Sequence, residues 1–241
     1  MTDRSSKQYI FRFKQFAIRH CSSAMKVGTD GVLLGAWTTP ENAGIIWDIG
    51  CGSGLISLML AQRCNARIIG IEIDPDAAAE ARLNAESSPW ADRISIITAD
   101  ASTALPALPA PDLIVSNPPF FTESLKAADR TRSVARHEGT LGVESLIEIS
   151  ARHLSPDGRL CFIAPTERTD DIELFSTVNR LHTIRRTDIR TTEKRNPVRT
   201  LWEISRNARP ITYETKSLRD EGGDYSQWYR SQTEDYYTHL K

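Results

Sequence analysis

The sequence predicts an α/β fold: a doubly wound, seven-stranded, mostly parallel sheet with an antiparallel edge strand. Three observations carry this. Apolar runs of strand length alternate with helical patterns from about Ile45 to Leu181, the signature of strand–helix–strand winding. The early runs are continuously apolar rather than alternating, as in strands buried on both faces. A glycine-rich turn directly follows the first run, where such sheets bind ligands.

The predicted strands are Ile45–Ile49, Ile68–Ile73, Ile94–Thr98, Leu113–Ser116, Leu160–Ala164, Ile184–Arg190 and Thr200–Ile204. Helical patterns fall at Leu55–Arg63, Asp76–Ala85, Val143–Leu154 and Arg168–Leu181. Pro75 stands where a first-turn proline opens a helix. The last two strands are joined by Thr191 to Pro197, which reads as a loop, so they are expected to pair antiparallel at the far edge of the sheet. The chain divides into an N-terminal extension (1–42), a core (43–209) and a polar, aromatic-bearing tail (210–241) expected to pack on the core.

Composition bounds the function. With 40% hydrophobic and 25% charged residues, the chain reads as a soluble globular protein. No apolar run is long enough to span a bilayer. Charges interrupt the first twenty residues every few positions, so a signal peptide is not expected and the cytosol is the default. Cys21, Cys51, Cys64 and Cys161 lack metal-ligand spacing; free thiols are expected, and no metal. Net charge is −1, yet six Lys/Arg face one acid over Met1–Gly28, four face one over Ser124–His137, and nine face three over Arg180–Arg209. Such clusters suit either a localised phosphate-binding face or solvated surfaces neutralised by neighbouring acids.

Asp48-Ile49-Gly50-Cys51-Gly52-Ser53-Gly54 follows the first strand and precedes a helix. Glycines there let the backbone approach a ligand closely. A dinucleotide fingerprint would place the third glycine one residue later, so that a helix N-terminus receives a pyrophosphate. An acid at position 48 would repel a diphosphate and suits the ammonium and sulfonium of S-adenosylmethionine (AdoMet). Glu72 ends the second strand 22 residues after Gly50, where an acid accepts from both hydroxyls of a ribose. Asp100 follows the third strand, suited to an adenine amino group. The plainer alternatives are helix N-caps for Asp74 and Asp100 and an exposed turn acid for Glu72. Acids at three successive strand ends favour the cofactor reading.

After the fourth strand come Asn117-Pro118-Pro119-Phe120. Two prolines remove two backbone donors and leave carbonyls as the functional groups. The Asn117 side-chain oxygen and the Pro118 carbonyl are placed to accept from one NH2 group and turn its nitrogen lone pair toward a methyl donor. Phe120 offers a face for stacking on a base. A plain proline turn with Phe120 buried is the alternative.

Together DIGCGSG, GIEIDP and SNPPF resemble the class I AdoMet-dependent amino-methyltransferases, whose hallmark is (D/N/S)PP(Y/F) after the fourth strand of a Rossmann-like sheet. The segment FRFKQFAIRHCSSAMKVGTDGVLLGAW, with ARHE (Ala135 to Glu138) and PDGRLCFIAP (Pro156 to Pro165), closely resembles the bacterial tRNA1(Val) adenine-37 N6-methyltransferase family. The likeness covers most of the chain. It implies AdoMet-dependent methylation of adenine N6 beside a tRNA anticodon. It also implies that Asp48, Gly50 and Gly52 form the first cofactor motif, that Glu72 meets the ribose and Asp100 the adenine, and that Asn117 to Phe120 form the catalytic tetrad, with Asn117 also among the cofactor-binding residues. Thr29, Asp30 and Gly31 match a segment folded over the methionine end of the cofactor, and the N-terminal extension would cap the cofactor pocket. The tetrad ends in Phe where Tyr is commoner, which keeps the stacking face and loses a hydroxyl.

Around these lie candidates for the RNA: Lys26, then Arg136 and His137 after the catalytic loop, then Arg195 and Arg199 flanking the loop between the last strands. His137 is weighed as a base against a structural role. Phe11, Phe13, Phe16, Trp228, Tyr229, Tyr236 and Tyr237 are expected in packing. The partner is tRNA, with no membrane, and a monomer is expected. Rival readings are a glutamine N5-methyltransferase acting on release factors, which normally carries a helical N-terminal domain that forty residues are too few to build, a DNA adenine methyltransferase lacking its target-recognition domain, and a non-catalytic AdoMet- or RNA-binding module.

Overall fold

The structure, a computed structural model, describes residues 9–20, 26–103, 105, 107–119 and 141–239. Cys21, Phe120, Arg136 and His137 lie outside the described residues. Ten strands are described: β1 (Tyr9–Arg12), β2 (Ala17–His20), β3 (Ile45–Ile49), β4 (Arg67–Glu72), β5 (Ile94–Thr98), β6 (Leu113–Ser116), β7 (Arg159–Pro165), β8 (His182–Arg190), β9 (Arg199–Ser205) and β10 (Thr212–Ser217). Six α-helices accompany them: α1 (Thr29–Trp37), α2 (Leu55–Ala61), α3 (Pro75–Glu86), α4 (Val143–His153), α5 (Thr169–Val178) and α6 (Gln227–Thr233).

The central sheet has eight strands in the order β10-β8-β9-β7-β6-β3-β4-β5. Its seven predicted strands are all present, and β10 is an addition. β9 runs antiparallel to both β7 and β8, so the antiparallel strand is internal rather than at the edge. β10 takes the edge, parallel to β8. Its sequence, TYETKS, offers no apolar row, and its residues are half-buried to exposed. An edge strand held by main-chain bonds and bearing charge leaves no periodic signal. The sheet therefore runs past residue 209, into what reads from sequence as a tail.

The strand period of two sorts side chains onto two faces. Ile46, Val115, Ile163 and Leu201 pack under α1 and α2. Trp47, Ile114, Phe162 and Trp202 pack under α4 and α5. Asp48 shares the face of Ile46, two residues before it, and this alternation decides its role. The N-terminal hairpin β1–β2 closes through Phe13 N–H donating to Phe16 O at 2.8 Å. Phe13 and Phe16 are buried and stacked at 4.6 Å, and Tyr237 reaches Phe13 at 5.7 Å. Tyr229 and Tyr236 are fully buried. Packing, not base stacking, thus occupies these rings.

Glu203 accepts from Arg159 at 2.7 Å and Arg185 at 2.8 Å while Arg185 stacks 3.6 Å from the Trp37 ring, which locks α1 to β8 and β9. Cys51, Cys64 and Cys161 are free thiols. Among the described residues no helix is long and apolar enough to cross a membrane, and no group of three His, Cys, Asp or Glu is placed to hold a metal.

Candidate active site

The carboxyl ends of β3 to β6 open onto one cavity of about 1030 Å³. Its walls bring together residues far apart in sequence: Thr29 to Gly31, the Gly50–Gly52 turn, Glu72, Asp100, and Asn117 to Pro119. Gly50 and Gly52 have φ of 69° and 55°, left-handed values that favour glycine. A Cβ at either position would meet no atom within 4 Å. Backbone geometry, not crowding by the protein, demands these glycines, and the space over the turn stays open for a ligand.

Glu72 is buried and holds the turn in place. Its Oε2 accepts from Gly52 N–H at 2.8 Å and its Oε1 from Asp74 N–H at 3.0 Å. It is no exposed turn acid. Asp74 caps α3, accepting from Asp76 N–H at 2.8 Å and Ala77 N–H at 3.2 Å, as its alternative reading anticipated. Asp100 caps no helix among the described residues: its Oδ1 accepts from Ser102 N–H at 2.8 Å within a turn, and the residue lines the cavity.

Asp48 is placed differently from expectation. It is fully buried, does not line the cavity, and points under α2, where its Oδ2 accepts from Ser57 N–H at 2.9 Å and Ser57 Oγ–H at 2.7 Å. Among the described residues its Oδ1 has no hydrogen-bond partner. Strand alternation turns it behind the glycine turn instead of up from the strand end. Burial pushes its carboxyl from 3.8 up to about 7; the two Ser57 bonds oppose this, and the Glu72 charge adds to it. The only sequence signal for Ser57 is a lone hydroxyl in the first turn of the apolar helix LISLMLA.

A carboxyl whose folded pKa exceeds its unfolded value favours folding fully below about 4, and that advantage is lost as pH rises to about 7. The difference is on the order of 4 kcal/mol. In the ligand-free protein, Asp48→Asn is therefore expected to flatten the fall in thermal midpoint between about pH 5 and pH 8. Parallel fall in both proteins, read by calorimetry, would refute a buried, proton-binding Asp48.

Asn117 is half-buried in the wall, Pro118 is buried and Pro119 exposed. The first turn of α1 comes close: a Cβ on Gly31 would lie 3.2 Å from Leu55 Cδ2 and 3.8 Å from Asn117 Nδ2. Leu141 and Ser145 complete the wall beyond Pro119; nothing in the sequence marked them. Lys26 reaches the rim, its Nζ 5.8 Å over the Tyr9 ring. Arg195 is exposed in the β8–β9 loop. Arg199, a candidate for the RNA, places its Nε 3.0 Å from Asp30 Oδ2 on the cavity wall.

Residues 20–188 match the family described as "Methyltransferase small domain". The chain is 48% identical, over 95% of both chains, to the tRNA1(Val) (adenine(37)-N6)-methyltransferase of Porphyromonas gingivalis. It belongs to that family. The relative of the same name from Phocaeicola vulgatus is 40% identical over 95% of this chain and 98% of its own, and that from Yersinia enterocolitica 38% over 94% and 92%. A predicted O-methyltransferase of Agrobacterium tumefaciens superposes with a TM-score of 0.69 over 88% of this chain and 99% of that one, at 19% identity. The ribosomal protein L11 methylase of Lactobacillus delbrueckii gives 0.53 over 74% and 77%, at 18%. Those two likenesses show the fold alone.

As a member of this methyltransferase family, the chain is an AdoMet-dependent enzyme. The cavity fits that cofactor. Its volume is adequate, an open left-handed glycine turn forms its floor, and two acids, Glu72 and Asp100, stand at successive strand ends around it.

Proposed function

We propose that this enzyme methylates N6 of adenine 37 in a tRNA, the activity that its relatives' names carry, and that it does so in the cytoplasm. The observation that supports this most directly is the sharing of one cavity by Asn117-Pro118-Pro119 and the strand-end acids Glu72 and Asp100. Gly50, Gly52, Glu72 and Asp100 would hold the cofactor, with Thr29, Asp30 and Gly31 closing over it as part of an N-terminal cap. Bound AdoMet supplies an electrophilic methyl group.

The Asn117 side-chain oxygen and the Pro118 carbonyl accept from the adenine amino group. Held so, the nitrogen loses conjugation with its ring and presents its lone pair; the N–C bond forms as the methyl's bond to sulfur breaks, one amino proton passes to water, and attack depends on orientation more than on a strong base. An adenine inside a stacked loop cannot reach the cavity, so the base must swing out. Pro118 and Pro119 carry no N–H and compete for none of its acceptors.

The test is incubation of the protein with labelled AdoMet and either unmodified tRNA or release factor, followed by mass analysis of nucleosides and peptides. N6-methyladenosine at position 37 is expected. Label in a release-factor glutamine, or in neither substrate, overturns the proposal. The apparent KM for tRNA is expected to climb with salt, roughly 40-fold between about 50 and 200 mM if about three phosphates are contacted. A KM indifferent to salt would remove the basic clusters, including Lys26 and Arg195, from the RNA face.

A further inference from the structure

The ion pair between Arg199 and Asp30 joins residues 169 positions apart. Asp30 is the second residue of α1, whose cap residue Gly28 makes no side-chain capping bond. From Val32 to Trp37 the helix is buried in the core, while Thr29 and Asp30 project into the cavity wall. Arg199 opens β9, where its main chain pairs with Pro165 of β7 and Ile189 of β8. The guanidinium is thus delivered by the rigid sheet rather than by the β8–β9 loop, and its Nη1 also donates to Val198 O at 3.0 Å. On the other side of the same helical turn, Gly31 approaches the Asn117 amide.

We propose that Arg199 is a positioning residue: anchored in β9, it holds Asp30, and with it the first turn of α1, against Asn117, forming the cofactor wall before any RNA binds. A planar guanidinium paired with a carboxylate fixes orientation as well as distance. This rests on the cavity being the AdoMet site, so AdoMet affinity is measured first, by calorimetry on the full chain without RNA. Absence of binding by the wild type would sink the site assignment rather than the role of Arg199.

Given wild-type binding, Arg199→Met is expected to raise the AdoMet Kd about tenfold. Arg199→Lys should recover part of the loss. Adding Arg199→Met to Asp30→Asn should change Kd by no more than about twofold, because the two act as one unit. The slope of tRNA KM against salt should match that of the wild type. Three results overturn the proposal: an unchanged AdoMet Kd in Arg199→Met, additive effects in the double variant, or a salt slope flattened by about one, which would make Arg199 a phosphate contact. Should Arg199→Met fail to fold, Arg199→Lys and its double variant with Asp30→Asn carry the same comparison.

Discussion

Asn117→Ala is expected to lower kcat by about 10²–10³-fold, the loss that follows removal of one preorganised polar contact to the reacting group, while AdoMet still binds with near-wild-type affinity. The position explains the split. Asn117 follows β6 directly and shares the cavity wall with the glycine turn. Truncation removes the acceptor that would orient the amino group and leaves Gly50, Gly52, Glu72 and Asp100 in place. Asn117→Asp keeps an acceptor in the same volume and should fall between the two. Single-turnover rates at saturating tRNA, paired with calorimetric AdoMet binding, separate chemistry from affinity. Turnover by Asn117→Ala close to that of the wild type would make the loop a plain proline turn.

Glu72→Ala should produce the largest loss of cofactor affinity, about 100-fold or more. The carboxylate accepts from Gly52 N–H and Asp74 N–H, and two oxygens with about four lone-pair sites leave room for ribose hydroxyls as well. Removing it orphans two backbone donors and releases the glycine turn from β4. Two hydrogen bonds from ribose hydroxyls to this charged acceptor, at about 1.5 kcal/mol each, correspond to about 3 kcal/mol, or roughly 100-fold in Kd. Loss of the Gly52 and Asp74 bonds falls on stability instead, and each 1 kcal/mol so lost lowers the thermal midpoint by about 2–4 °C. Glu72→Gln retains one acceptor oxygen and should lose less. A Kd unchanged in Glu72→Ala would show that the acid neither touches the cofactor nor shapes its turn.

The two variants draw on different kinds of legibility. Glu72 stands out because an acid terminates the run IIGIE at the dinucleotide-like spacing, and Asn117 because two prolines follow a strand; both signals are local. The hydrogen bond from Gly52 to Glu72 could not be read in this way, since it depends on how β3 and β4 sit side by side. Asp48 misled for a related reason. An acid before GxGxG reads as a ligand contact, but its position in the alternation of β3 sends it under α2 to Ser57. β10 escaped notice because an edge strand needs no apolar row, and α1 because its apolar residues belong to a helix buried almost all round, which shows little face-to-face contrast.

From sequence alone follow the seven strands from Ile45 to Ile204, the glycine turn, the order of the strand-end acids and the Asn-Pro-Pro loop. Each of these is set by contacts within a few residues or by a single face of one element. Only the folded chain decided that Asp48 lies behind the cavity, that an eighth strand closes the sheet, and that Arg199 reaches Asp30. These arrangements arise where elements distant in sequence pack together, and side-chain direction at such junctions is set by sheet register and helix docking, which no local pattern encodes.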